Sequence, residues 1–178
     1  MTIYMNSINK NSVAIAGEFA VLSQLALRGY DANMTLGHTK SVDILVSDPR
    51  TGKLYQVEVK TNFQNSRNKS SVSKIHGASI SGWIMSKKNE KVDIPTLFYC
   101  FVNISKDTNI FKFYIIPSKI VSKYVKEQHL LWLSEKNKEG KKVKDSDMRI
   151  FRLGVKGEKY AISTPIAEQY ENNWSFKK

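Results

Sequence analysis

Cysteine is almost absent from this 178-residue chain: Cys100 stands alone, so no internal disulfide can form. The three histidines, His38, His76 and His129, are scattered, and with one cysteine they offer neither zinc spacing nor a paired imidazole for acid–base work. Long apolar runs are missing as well. Stretches such as Leu97-Phe98-Tyr99-Cys100-Phe101-Val102 fall far short of the roughly 20 residues a membrane helix needs. Met1 to Lys10 is polar and carries no apolar stretch of the secretory type, so a cytoplasmic protein is expected. No repeat is present. Acidic residues are scarce, with 16 Asp+Glu against 28 Lys+Arg, a net charge of +12.

What is present is enough for a core. Hydrophobic residues make up 41% and aromatics 11%, which excludes a wholly disordered chain. The length fits a single domain spanning residues 1–178. Its positive charge is uneven. Through Lys60 there are six basic and five acidic residues, and the remainder carries 22 basic against 11 acidic. Such a segment suits a polyanion partner, or it is a lysine-rich solubilising surface.

Ser12 to Gly29 reads as a first helix, with Ser12 as N-cap, Gly29 as stop and Ala14, Val21, Leu22, Leu25 and Ala26 as the apolar face. Residues 32–36 read as a short strand. Val42-Asp43-Ile44-Leu45-Val46 is a buried strand, joined through the turn Asp48-Pro49-Arg50-Thr51-Gly52 to a second strand over 54–61. Asn62 to Ser73 reads as a polar loop, mobile or ordered only by a ligand. Further strands are expected near 82–87, 96–104, 110–116 and 148–153. Helices are expected from Pro117 to about Lys126, over 128–136, and over 165–174. This order predicts an α/β fold with a central mixed sheet flanked by helices, with residues 117–178 as a helical and strand elaboration.

Chemistry concentrates around the Asp48–Gly52 turn. Strand alternation puts Gln56, Glu58 and Lys60 on one face, with Glu58 and Lys60 about 7 Å apart. Asp43 lies in the partner strand inside an apolar run, where a carboxylate is costly unless paired or metal-bound. Two carboxylates on adjacent strands beside a lysine make a hard-oxygen site of the kind Mg²⁺ takes, with Mn²⁺ as substitute. Glu18, on the apolar side of the first helix, either reaches this site or snorkels to solvent. Val57-Glu58-Val59-Lys60 also fits an ordinary half-exposed strand, and Asp43 could cap a turn or pair with Lys40.

The combination of Ala-Gly-Glu-Phe-Ala-Val in the helix, Ser-Val-Asp-Ile-Leu-Val in one strand and Gln-Val-Glu-Val-Lys-Thr in the next resembles the PD-(D/E)xK nuclease superfamily. Within it, the small restriction-endonuclease-like domains related to Holliday junction resolvases are the nearest in pattern. The resemblance covers roughly residues 16–61, with Val42 where the family's namesake proline would stand. It implies Asp43 and Glu58 as metal ligands, Lys60 as catalytic lysine, and Glu18 as the first-helix glutamate found in many members.

On that basis the expected function is Mg²⁺-dependent hydrolysis of phosphodiester bonds, in DNA, by an endonuclease. Lys60 would place or deprotonate water, Glu18 would assist a second ion or metal-bound water, and Gln56 would position substrate or water. Thr39, Lys40, Arg67, Lys69, Lys74, Lys87 and Lys88 are the expected phosphate contacts, with Lys91 beside them. Trp83, Trp132 and Trp174 read as packing residues rather than base platforms. DNA is the expected partner, a homodimer is open to it, and no membrane is involved. The alternative is a non-catalytic nucleic-acid-binding or interaction module on the same fold. Lys136 to Lys144 would be a partner or RNA arm, or, with Glu135 and Glu139, a mixed solvated helix.

Overall fold

In the computed structural model, residues 8–35, 41–64, 72–73, 77–78, 81–140, 143–154 and 162–177 are described. Helix α1 (Lys10–Ala26) is followed by strands β1 (Asp31–Met34), β2 (Ile44–Asp48) and β3 (Lys53–Gln64), then the two-residue strands β4 (Val72–Ser73) and β5 (Gly77–Ala78). Next come β6 (Ser81–Ser86), a 3-10 helix (Lys87–Lys91), β7 (Leu97–Ser105), β8 (Phe111–Pro117), α2 (Ser118–Lys138), β9 (Met148–Leu153) and α3 (Ala167–Tyr170). The central sheet runs β1-β2-β3-β7-β8. Only the β3–β7 pair is parallel, so the sheet is mixed as its element order predicts.

The expected hairpin forms around the Asp48–Gly52 turn. Thr51 and Gly52 donate N–H to the Asp48 carbonyl (3.1 and 2.8 Å), and Gly52 takes φ +68°, where a side chain would be strained. The Asp48 carboxylate accepts the Arg50 N–H (3.0 Å) and its guanidinium Nε (2.9 Å). The resulting register opposes Asp48 to Lys53 and Ile44 to Val57.

Several boundaries differ from expectation. Asn9, not Ser12, caps α1: its Oδ1 accepts the Ser12 N–H at 2.8 Å, so the helix starts at Lys10. The two helices expected after Pro117 are one, because no breaker interrupts Lys126-Glu127-Gln128 and the buried Gln128 amide donates to the Ile162 carbonyl (3.0 Å). Of the expected 62–73 loop, Asn62 to Gln64 prolong β3, carried by parallel pairing as far as Gln64–Ser105. Val72 and Ser73 pair with β5, and residues 65–71 lie outside the described residues. The terminal helix shrinks to α3, since Glu171 bridges to Tyr114 and Trp174 and Phe176 turn back into the core.

Both faces of the sheet are covered. On one, Val57, Val59, Phe98 and Cys100 pack against Val21 and Leu25 of α1 and against Trp174 and Phe176. On the other, Tyr99 and Phe101 pack against Trp83 and Met85 of β6, Phe151 of β9 and Val121 and Tyr124 of α2. The β6–β9 ribbon and α2 thus form a second layer. That layer is tied by a polar cluster: the buried Arg149 guanidinium pairs with Glu90 and with Asp145 (3.2 Å), and Asp145 also takes Lys87 (2.7 Å) and His129 (2.7 Å). Hydrogen bonds from Lys87, then His129, hold the Asp145 carboxyl well below the usual carboxylate range.

Two outcomes follow. A methyl group on Gly17 would lie 1.9 Å from Thr61 Oγ1 and 2.9 Å from Thr61 Cβ and Cγ2, so α1 cannot keep its seat on β3. Gly17→Ala should cost about 1–3 kcal/mol, and Gly17→Ala/Thr61→Gly should recover part of it in thermal denaturation; equal stability of the single variant would disprove close packing here. Asp145 has a depressed folded-state pKa, so its contribution is complete above the ordinary carboxylate pKa and fades as pH falls through the folded value. Asp145→Asn should therefore lower Tm at pH 7, and the gap from wild type should close in acid below about pH 4. A pH-independent gap would show that lost packing, not charge, is responsible.

Candidate active site

Strand β3 is central, and this decides the fate of its carboxylate. Val57, Glu58 and Val59 are all buried, Glu58 at 4% exposure. The half-exposed alternation that Val57-Glu58-Val59-Lys60 also permits is therefore not what forms, because the second layer covers the Glu58 face. Opposite Glu58 in the parallel register stands Tyr99. Its phenol is pushed far above its ordinary pKa by burial and then by the Glu58 charge, and its hydroxyl accepts a hydrogen bond from the Asn89 side chain (2.8 Å).

Glu58 Oε1 forms an ion pair with Lys60 Nζ at 2.6 Å. Glu58 Oε2 is buried with no hydrogen-bond partner among the described residues. The pair is graded in exposure: the Glu58 side chain is 5% exposed and that of Lys60 29%, so the carboxylate sits within and the ammonium at the mouth.

Asp43 immediately precedes β2 and continues its ladder, donating its N–H to the Val57 carbonyl (2.9 Å). Its Oδ2 accepts the Val59 N–H at 2.7 Å. This bond anchors the Asp43 carboxylate to the backbone between Glu58 and Lys60, rather than at a turn cap. Glu18, on α1, is partly buried. Its carboxyl is raised by burial first and by the Asp43 charge second, while Lys60 opposes the shift. Glu18 therefore lies within electrostatic range of both residues. The neighbouring Gly17 permits this, since α1 lies directly on Thr61.

Asp43, Glu58 and Lys60 are thus joined through adjacent residues of β3, with Glu18 within electrostatic range of Asp43 and Lys60. Among the described residues, no group of three or more His, Cys, Asp or Glu forms a ready metal-holding cluster. Gln56 lines a pocket between β1–β3 and Thr96, with Leu45 and Leu54, whereas Lys60 lines a different one. Thr39, Lys40, Arg67, Lys69 and Lys74 lie outside the described residues. Lys87 is engaged by Asp145, and Lys88 and Lys91 are exposed in the same 3-10 helix. Trp83 and Trp174 are buried, and Trp132 lies half-buried beside His129. Glu135 and Glu139 pair with Lys138 and Lys136 (both 2.8 Å) where α2 ends; of the rest of the 136–144 stretch, Lys141 and Lys142 lie outside the described residues and Val143 and Lys144 are not helical. Tyr99 escapes a reading by motif, because its place beside Glu58 comes from strand pairing across a long sequence separation.

No family model matches the chain, and no curated protein does. Among the described residues no helix is long and apolar enough to cross a membrane. Among solved structures the chain is similar to a bacterial homing endonuclease, I-Ssp6803I, with a TM-score of 0.49 and 14% identity, over 94% of this chain and 90% of that one.

Proposed function

We propose that this protein is a metal-dependent endonuclease that hydrolyses phosphodiester bonds in DNA, on a core of the PD-(D/E)xK, restriction-endonuclease-like type. The observation that carries the reading is the buried Glu58, with one oxygen paired to Lys60 and the other bare. An uncompensated buried carboxylate oxygen costs stability, so its retention points to a function for the charge.

The residues fit a divalent cation. Asp43 and Glu58 are hard-oxygen donors, Glu58 Oε2 is a buried acceptor awaiting a partner, and Glu18 and Asp43 repel each other in a way a cation would relieve. Among the described residues no group of three or more carboxylates closes a cage, so water and phosphate oxygens would complete the shell, as Mg²⁺ prefers. Bound by Asp43 and Glu58, Mg²⁺ or Mn²⁺ would polarise the phosphate and acidify a water.

The protein's own groups have separate duties. Lys60, at the mouth, offsets charge developing on phosphoryl oxygens and sits where it can orient the attacking water. Glu58 Oε1 holds the ammonium in that position. The Val59 N–H keeps Asp43 aimed at the site. Glu18, with a raised pKa, is suited to accept a proton from water.

Calorimetric titration with Mn²⁺ tests the cation site: one ion should bind wild type, and Asp43→Asn and Glu58→Gln should each weaken it at least about tenfold. Unchanged affinity in both would remove the site. Lys60→Ala leaves the buried Glu58 without its partner, so it should lower Tm, and at temperatures where the variant is still folded by circular dichroism it should slow cleavage by about 10²–10³ on a panel of linear, nicked, branched and single-stranded DNA. Cleavage by that variant at the wild-type rate would overturn the assignment of Lys60. If wild type binds DNA and cleaves none of the panel with either metal, the protein is a binding module.

A further inference from the structure

Lys60 lines a cleft of about 490 Å³ between the start of α1, the second half of β3, Trp83 and Ile84 of β6 and the β7–β8 turn. Two further lysines line it: Lys10, the first residue of α1, and Lys106, in the turn. No acidic side chain of the described residues lines it, and none is ion-paired with Lys10 or Lys106. The first turn of α1 also holds no acidic residue, so the positive end of its dipole adds to the same sign.

Lys106 is held in place. Its N–H donates to the Gln64 carbonyl at the end of β3 (3.0 Å), and its ammonium lies 5.3 Å from the centroid of the Phe63 ring. Lys60 is four residues up the same strand from Gln64, about 13 Å by strand rise. The cleft is not purely cationic. Ile8 and Ile84, at 56% and 68% exposure, stand in it with Phe63. Cations spaced along an apolar trough match a chain of phosphates joined by sugars and bases better than a free anion or an acidic peptide.

We infer that this cleft seats the DNA strand next to the phosphate at Lys60. Lys10 and Lys106 hold flanking phosphates, and Ile84 and Phe63 meet sugar or base surface. The inference rests on the endonuclease reading and assigns the strand's path to two lysines that motif reading left out. It also draws the path away from Lys87 and Lys88, which do not line the cleft.

The test measures binding of a fluorescent single-stranded DNA by anisotropy in EDTA, so that cleavage plays no part. Lys10→Ala/Lys106→Ala should flatten the slope of log affinity against log salt by about 1.4, two contacts' worth. Lys119→Ala/Lys126→Ala, which removes the same charge from the exposed face of α2, should leave the slope unchanged. Equal slopes for wild type and the cleft variant, or equal flattening by both pairs, would overturn the inference while leaving cleavage by wild type to support the endonuclease. A flattened slope with no cleavage by wild type would keep the cleft and remove the endonuclease. Equally tight, salt-sensitive binding of polyglutamate would show a generic anion trough and overturn the DNA assignment.

Discussion

A carboxylate in the middle of a covered sheet is the constraint from which the rest of the molecule takes its form. Removing an ionised carboxylate from water costs several kcal/mol unless a partner and hydrogen bonds compensate. Glu58 has one compensated oxygen, through Lys60, and one uncompensated. An ordinary core would place an aliphatic residue between Val57 and Val59. Here the strand keeps a charge at that position opposite the buried Tyr99, on the face that the second apolar cluster covers, and the low polarity there strengthens the electrostatic interactions Glu58 makes.

The two layers on the sheet have different tasks toward that charge. The β6–β9 ribbon and α2 exclude water from its face, and the Arg149 cluster with Glu90, Asp145, Lys87 and His129 keeps them together. Helix α1 works from the other face and from the strand ends. Because Gly17 has no side chain, α1 settles onto Thr61, and the next residue, Glu18, comes within electrostatic reach of Asp43 and Lys60. One missing side chain thus links a packing contact to the composition of the site.

Much of this was legible in the residues. The hairpin followed from Asp48-Pro49-Arg50-Thr51-Gly52 because turn chemistry is local. The apolar runs at 97–105 and 111–117 were legible as strands because both are buried along nearly their whole length. Helix ends were less legible. The cap of α1 depended on which of two polar residues, Asn9 or Ser12, supplied the acceptor, and either satisfies the local rule. The length of β3 and the collapse of the last helix were hidden for a different reason: one is set by pairing with β7, the other by Trp174 and Phe176 reaching the core of α1.

By itself the sequence determined that Glu58 and Lys60 share a strand face, that Asp43 stands in the neighbouring strand segment, and that the chain carries excess positive charge, since alternation, turns and composition are properties of adjacent residues. Only the tertiary structure decided that the Glu58 face is buried, that Glu18 belongs with Asp43, that Gln56 falls in a different pocket, and that Lys10 and Lys106 join Lys60 around one cleft. Burial and electrostatic contact depend on which distant segments come to lie over a side chain, and that is settled when the layers pack.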